Sequence, residues 1–182
     1  MMREKFLLLF LLLIAFLVLY SNFLKSLQSM PKIEVDKKEN VSEFPIAEIP
    51  TEGFIQANIS IDAVLVDRAQ VSLRAGCYLL QATTDAFVAN AIQKGLEGKL
   101  DFRPTVYDVV VDAFRNLGIK VLALKILEMR ENTFIGQLII QQKDKVLLLD
   151  IRPSDGSAIA IRAKAPIYIN ETLAKEVGRY VC

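Results

Sequence analysis

The hexapeptide Asp150-Ile151-Arg152-Pro153-Ser154-Asp155 sets two carboxylates, one guanidinium and one hydroxyl around a proline. An apolar run precedes it and a helical pattern follows, so the spacing predicts a strand-to-helix junction. The first turn of a helix offers unpaired backbone N–H groups and a partial positive charge, which suits a phosphate, and Arg152 adds a two-pronged donor beside it. Asp150 and Asp155 are hard oxygen ligands that could hold magnesium or manganese, or place a water. The same residues also have an architectural reading. Ser154 would cap the helix, Asp155 would complement its dipole and Arg152 would pair with a carboxylate.

A partial echo occurs at Arg103-Pro104-Thr105, with Asp108 one helical turn on. Thr105 and Asp108 have capping-box spacing, which is the architectural alternative here. If both junctions face one cleft, Arg103, Arg152 and Ser154 would bind phosphate. Asp108, Asp150 and Asp155 would then serve metal-assisted phosphodiester hydrolysis, with a divalent ion such as magnesium or manganese as the implied cofactor. Other chemistry is restricted by composition. The 182 residues contain no histidine, the commonest neutral-pH acid–base group and transition-metal ligand. The formal net charge of +1 gives no broad field for gathering nucleic acid, so any such binding must be local.

The elements that must position these groups follow from periodicity. Ile55, Ala57, Ile59 and Ile61 alternate with polar residues and continue through Val64 and Val66, which predicts a long first strand. Residues 71–74 and 77–82 read as a hairpin turning at Ala75-Gly76, and Thr83 or Thr84 can cap the helix that follows. Gly98 ends that helix, and a second opens at Arg103-Pro104-Thr105 and closes at Gly118. Residues 119–129, 133–141 and 146–151 form a meander. A helix from near Ser154, a strand over 166–169 and a last helix capped by Asn170 complete the order. Strands in groups predict an α+β fold with a mixed, mostly antiparallel sheet and about four helices.

Residues 6–24 are Leu- and Phe-rich and nearly match a bilayer core in helical length, which predicts one N-terminal transmembrane helix. The bulky sequence from Tyr20 to Lys25 disfavours a peptidase site, so a retained anchor is expected over a cleaved signal peptide. The expected organisation is an anchor over 1–25, a polar proline-containing linker over 26–53 and a folded domain over 54–182. The domain is expected outside and the short basic tail inside, with sequons at Asn40, Asn58 and Asn170 fitting that choice. The linker has a second reading as a peptide folded onto the domain, through Phe44, Ile46 and Ile49. Cys77 and Cys182 match no metal spacing; free thiols are expected, with a disulfide as the alternative.

The order of motifs carries a resemblance. The Asp150 to Asp155 block is followed by Ala158, Ala160 and Arg162, then Ala165-Pro166-Ile167-Tyr168-Ile169. Ala89-Asn90-Ala91-Ile92, Arg103-Pro104, Asp108 and Asn132-Thr133-Phe134 precede it in order. From about residue 59 to residue 178 the chain resembles the bifunctional nuclease (BFN) domain family, small α+β proteins associated with DNA and RNA cleavage. The resemblance implies a nuclease with nucleic acid as partner. Three positions depart from the family pattern. Val88 stands where a glutamate is usual, Tyr107 where a histidine is usual, and Gly156-Ser157 where Ala-Ile is common. Two expectations therefore go forward, a membrane-anchored nuclease and a non-catalytic binding or assembly module of the same fold. Self-association into a homo-oligomer is a further expectation, since small sheets protect exposed edges that way.

Overall fold

Alternation along Phe54–Val64 sends Ala57, Ile59 and Ile61 to one face of a strand and leaves Gln56, Asn58 and Ser60 on the other. That strand, β1, is the first of the folded unit. A computed structural model describes residues 16–23, 25 and 45–182, and the chain divides after Ser42. The elements after β1 are β2 (Arg68–Ala75), β3 (Tyr78–Asp85), α1 (Ala86–Leu96), α2 (Val106–Asn116), β4 (Ile119–Arg130) and β5 (Thr133–Gln142). β6 (Lys145–Ile151), α3 (Pro153–Ala163), β7 (Ile167–Asn170), α4 (Glu171–Val177) and β8 (Arg179–Tyr180) follow.

Eight strands form one sheet in the order β6-β5-β4-β7-β1-β2-β3-β8, in which only β4 and β7 run parallel. The expected α+β class, with a mostly antiparallel sheet and four helices in this unit, holds. The core lies between one sheet face and the helices. Leu124, Ile126, Leu138, Ile140 and Ile169 meet Val88 and Ile92 of α1, Val111 of α2 and Ala158 and Ile159 of α3 there. Two glycines let α3 sit close to that face. A Cβ on Gly156 would come within 2.6 Å of Leu124 Cδ1, and one on Gly136 within 2.7 Å of the Ile151 carbonyl oxygen.

The opposite sheet face carries the chain that leads into β1. Gln141 donates from Nε2 to the Pro45 carbonyl, and its Oε1 accepts from the Ala47 amide at 2.9 Å. Buried Lys125 donates to the Pro50 carbonyl and lies 4.2 Å from the Phe54 ring centroid. These contacts satisfy two polar side chains that the strands bury.

Three expectations are corrected. No helix among the described residues is long and apolar enough to cross a membrane, which overturns the transmembrane helix, the membrane partner and the single-pass location. Residues 16–23 and 25 are helical, and the rest of the expected span lies outside the described residues. Cys77 and Cys182 are joined by a disulfide rather than free. It ties β8 to the start of β3, where Tyr78 pairs with Tyr180 and the Val181 amide donates to the Cys77 carbonyl. Finally, Ser154 does not cap α3: Arg152 holds the N-cap position and Pro153 opens the helix, as its fixed φ favours.

Candidate functional site

The strand-to-helix junction lies where expected, and its side chains form a chain of contacts. Arg152 Nε donates to Asp155 Oδ2 at 2.6 Å, one turn along the same helix. The Tyr107 hydroxyl, brought by α2, donates to Asp155 Oδ1 at 2.5 Å. Burial, followed by the hydrogen bond to Asp155, pushes the Tyr107 hydroxyl well above the ordinary phenol range, so it stays a donor at any working pH. Asp155 is thereby pinned through both oxygens and holds the guanidinium from behind. Its bond and charge raise the already high pKa of Arg152.

Arg152 and Ser154 line a cleft of about 850 Å³ whose walls also include Asp67, Arg68, Thr84, Asp85 and Asn132. Asp85, the N-cap of α1, reaches Arg152 Nη1 from the other side at 3.5 Å. That distance marks a loose contact. Sequence reasoning missed Asp85, because Thr83 and Thr84 just before it can also cap and drew the helix start one or two residues early. Its own side chain makes no cap bond and faces Arg152 instead. The lining charges balance, with Asp67 and Asp85 against Arg68 and Arg152.

The other expected site residues lie elsewhere. Asp108 is buried, at 5% exposure, and forms the anticipated cap: Oδ2 accepts from the Thr105 amide and Oγ1 at 2.7 and 2.6 Å. Its Oδ1 accepts from Arg162 Nε at 2.5 Å, and Arg162 also donates to the Ala91 and Ala158 carbonyls. Arg162 is seven residues beyond Asp155, so this pair sits about 10 Å further along α3. Asp150 pairs across the sheet with Gln137, while its neighbour Ile151 packs on the core. Successive strand residues face opposite ways, so Asp150 points to the sheet face away from α3. Arg103 is exposed before α2 and does not line the cleft. Asp108, Asp150 and Asp155 therefore do not converge. Among the described residues no group of three or more His, Cys, Asp or Glu side chains could hold a metal ion, so the expected three-aspartate metal set does not fit.

The departures from the family pattern acquire places. Val88 is core, 3% exposed on α1, and Tyr107 is the buried donor to Asp155. Ser157 donates to the Pro153 carbonyl and steadies the first turn of α3. The bifunctional nuclease domain model matches residues 74–181, a span holding Asp85, Tyr107, Arg152 and Asp155. The chain belongs to the bifunctional nuclease domain family. An uncharacterised protein of Mycobacterium tuberculosis is 35% identical over 86 residues, covering 47% of this chain and 49% of that protein. Bifunctional nuclease 1 of Oryza sativa subsp. japonica is 33% identical over 79 residues, covering 42% of this chain and 24% of the relative. Bifunctional nuclease 2 of Arabidopsis thaliana is 33% identical over 82 residues, covering 43% and 25%. The chain thus spans about half the length of the first relative and about a quarter of the plant nucleases.

Asp108 makes acid stability a test of this geometry. Burial alone would raise its pKa, but hydrogen bonds from Thr105 and Arg162 outweigh burial and hold it below the ordinary carboxylate value. A depressed native pKa gives stability that is complete above the unfolded value of about 4 and is lost as pH falls through the lower native value. Melting of the wild type and of Asp108→Asn, measured from pH 7 to pH 2.5, should differ by a constant amount above about pH 4 and converge below it. A gap that stays constant down to pH 2.5 would contradict the assignment.

Proposed function

We propose that this BFN-family domain acts on nucleic acid, holding a backbone phosphate in the cleft between Arg152 and Arg68 and hydrolysing a phosphodiester bond there. The observation that carries the proposal is the support of Arg152. Asp155 fixes its Nε, Tyr107 fixes Asp155, and its loose contact with Asp85 is the one that a phosphate would displace. The first-turn amides of α3 lie beside it, and a phosphate there gains both hydrogen bonds and the helix field. Asp155, which touches Arg152 and Tyr107, acts as a positioning residue. Asp85, exposed on the cleft wall, is the carboxylate placed to orient an attacking water and accept its proton. The family membership and the printed names of the plant relatives support nucleic acid as the substrate class.

A non-catalytic binding module is the second reading, favoured by one fact. Tyr107 and Val88 supply no base where the family pattern has a histidine and a glutamate. Cleavage assays of the full chain on labelled single-stranded and duplex DNA and RNA, with and without magnesium, separate the two. Hydrolysis predicts cleavage that Asp85→Asn reduces by about 10²-fold or more without weakening binding. Binding of these substrates with no cleavage under any condition would establish the module instead. Cleavage undiminished in both Asp85→Asn and Arg152→Ala would place the activity outside this cleft.

A further inference from the structure

At the end of α3 away from Arg152 lies a second hollow, of about 470 Å³, which shares no lining residue with the cleft. The eleven residues of α3 separate the two by about 16 Å. Its walls come from α2, the end of α3 and the start of β4, with Ile46 from the chain that leads into β1 on one side. Val111, Phe114, Ile119, Val121 and Ala163 make its body apolar. Only Val111 of these is fully buried, so the other four leave apolar surface of the core facing solvent.

The charges around this hollow have one sign. Arg115, Lys120, Arg162 and Lys164 line it, and no carboxylate does. Two of the four are already engaged, Arg115 by Asp112 and Arg162 by Asp108. Lys120 and Lys164 are exposed and form no ion pair among the described residues. Basic residues in a last helical turn commonly offset the helix dipole, which accounts for Arg115 and Arg162. It does not account for Lys120, which stands on β4. Lys164 is the more telling, because it ends α3 with φ of 58°, in the left-handed region where a helix favours glycine. A lysine there costs backbone strain and brings an ammonium group to the hollow.

We propose that this hollow binds a small amphiphilic anion of the fatty-acid class, its apolar body against Phe114, Val121 and Ala163 and its carboxylate taken by Lys120 and Lys164. The volume lies within the range of small-molecule sites, about 300–1,000 Å³. A nucleotide fits the lining less well. No uncharged polar side chain lines the hollow, so the donors and acceptors of a base would stay unpaired. The site stands independently of the phosphate contact proposed at Arg152.

Calorimetric titration of the full chain with decanoate, and with decanol as the neutral-headed control, tests the proposal. Decanoate should bind saturably at one site, and decanol about tenfold or more weakly. Lys120→Glu and Lys164→Glu should each weaken decanoate binding by about tenfold or more, since each turns an attraction into a repulsion. Lys164→Gly separates binding from folding: it relieves the left-handed lysine and should raise the melting temperature while weakening decanoate binding. Absence of saturable binding, equal binding of decanol, or binding that survives both Lys120→Glu and Lys164→Glu, as attachment to the Leu-rich residues 6–24 would, overturns the proposal.

Discussion

Asp108→Ala should lower the melting temperature by roughly 10–20 °C, the largest effect of any single substitution proposed here. The carboxylate neutralises Arg162, whose side chain is only 8% exposed, and also closes the start of α2 through Thr105. Removing it strands a buried guanidinium, and breaking one partner of a buried pair costs about 3–5 kcal/mol. Arg162 would keep its bonds to the Ala91 and Ala158 carbonyls, so the cost is unmet charge rather than complete loss of hydrogen bonding. A double substitution of Asp108→Leu with Arg162→Met removes both charges together and should recover at least half of the lost stability, because well-packed apolar replacements of buried pairs are often tolerated. Thermal melts followed by circular dichroism check both. A loss of under about 1 kcal/mol in Asp108→Ala would mean that the pair is solvated and that α2 and α3 are not locked through it.

Opening the disulfide between Cys77 and Cys182 ranks second. The bridge spans 105 residues and so closes one loop that holds every element from β3 to β8. Constraint of the unfolded chain by a loop of this size is worth up to about 4.7 kcal/mol, and native bridges commonly deliver about 2–4. Cys182→Ser, or reduction with excess dithiothreitol, should lower melting by roughly 10 °C. The first element to loosen should be β8, which holds β3 through only two residue pairs and the edge-to-face contact of Tyr78 with Tyr180. Hydrogen exchange should therefore show the Val181 amide losing protection before the strands of the meander. Equal melting in the oxidised and reduced protein would show that the cross-link contributes nothing.

Much of the fold was legible because it is local. Alternation located β1 and the meander, and the Thr105/Asp108 spacing located the cap of α2. Asn170 likewise caps α4 through the Thr172 and Leu173 amides. What was not legible depends on long-range closure. The disulfide needs the C-terminus to return to β3, and no spacing rule encodes that. The candidate site was legible only in part, at Arg152, Ser154 and Asp155. Asp150 and Asp155 are close in sequence, yet a strand's two-residue period turns Asp150 away while the helix carries Asp155 toward Arg152. The signal was present, since apolar Ile151 belongs to the core and its neighbour must then face the other side. Asp85 was hidden by Thr83 and Thr84. Its role emerges only when β3 and α3 are brought together across 67 residues.

On the proposed function Arg152, held by Asp155 and Tyr107, is the phosphate contact. Fluorescence anisotropy of the full chain with a labelled oligonucleotide measures it directly, comparing wild type with Arg152→Ala, Asp85→Asn and Arg103→Ala. Losing a charge-assisted contact of about 1.5–3 kcal/mol should weaken binding by roughly 10- to 150-fold in Arg152→Ala. Asp85→Asn, which frees Arg152 of its competing carboxylate, should tighten binding several-fold, while Arg103→Ala should stay within about twofold of wild type. Unchanged affinity in Arg152→Ala, with loss in Arg103→Ala, would show that the phosphate is held elsewhere than at Arg152.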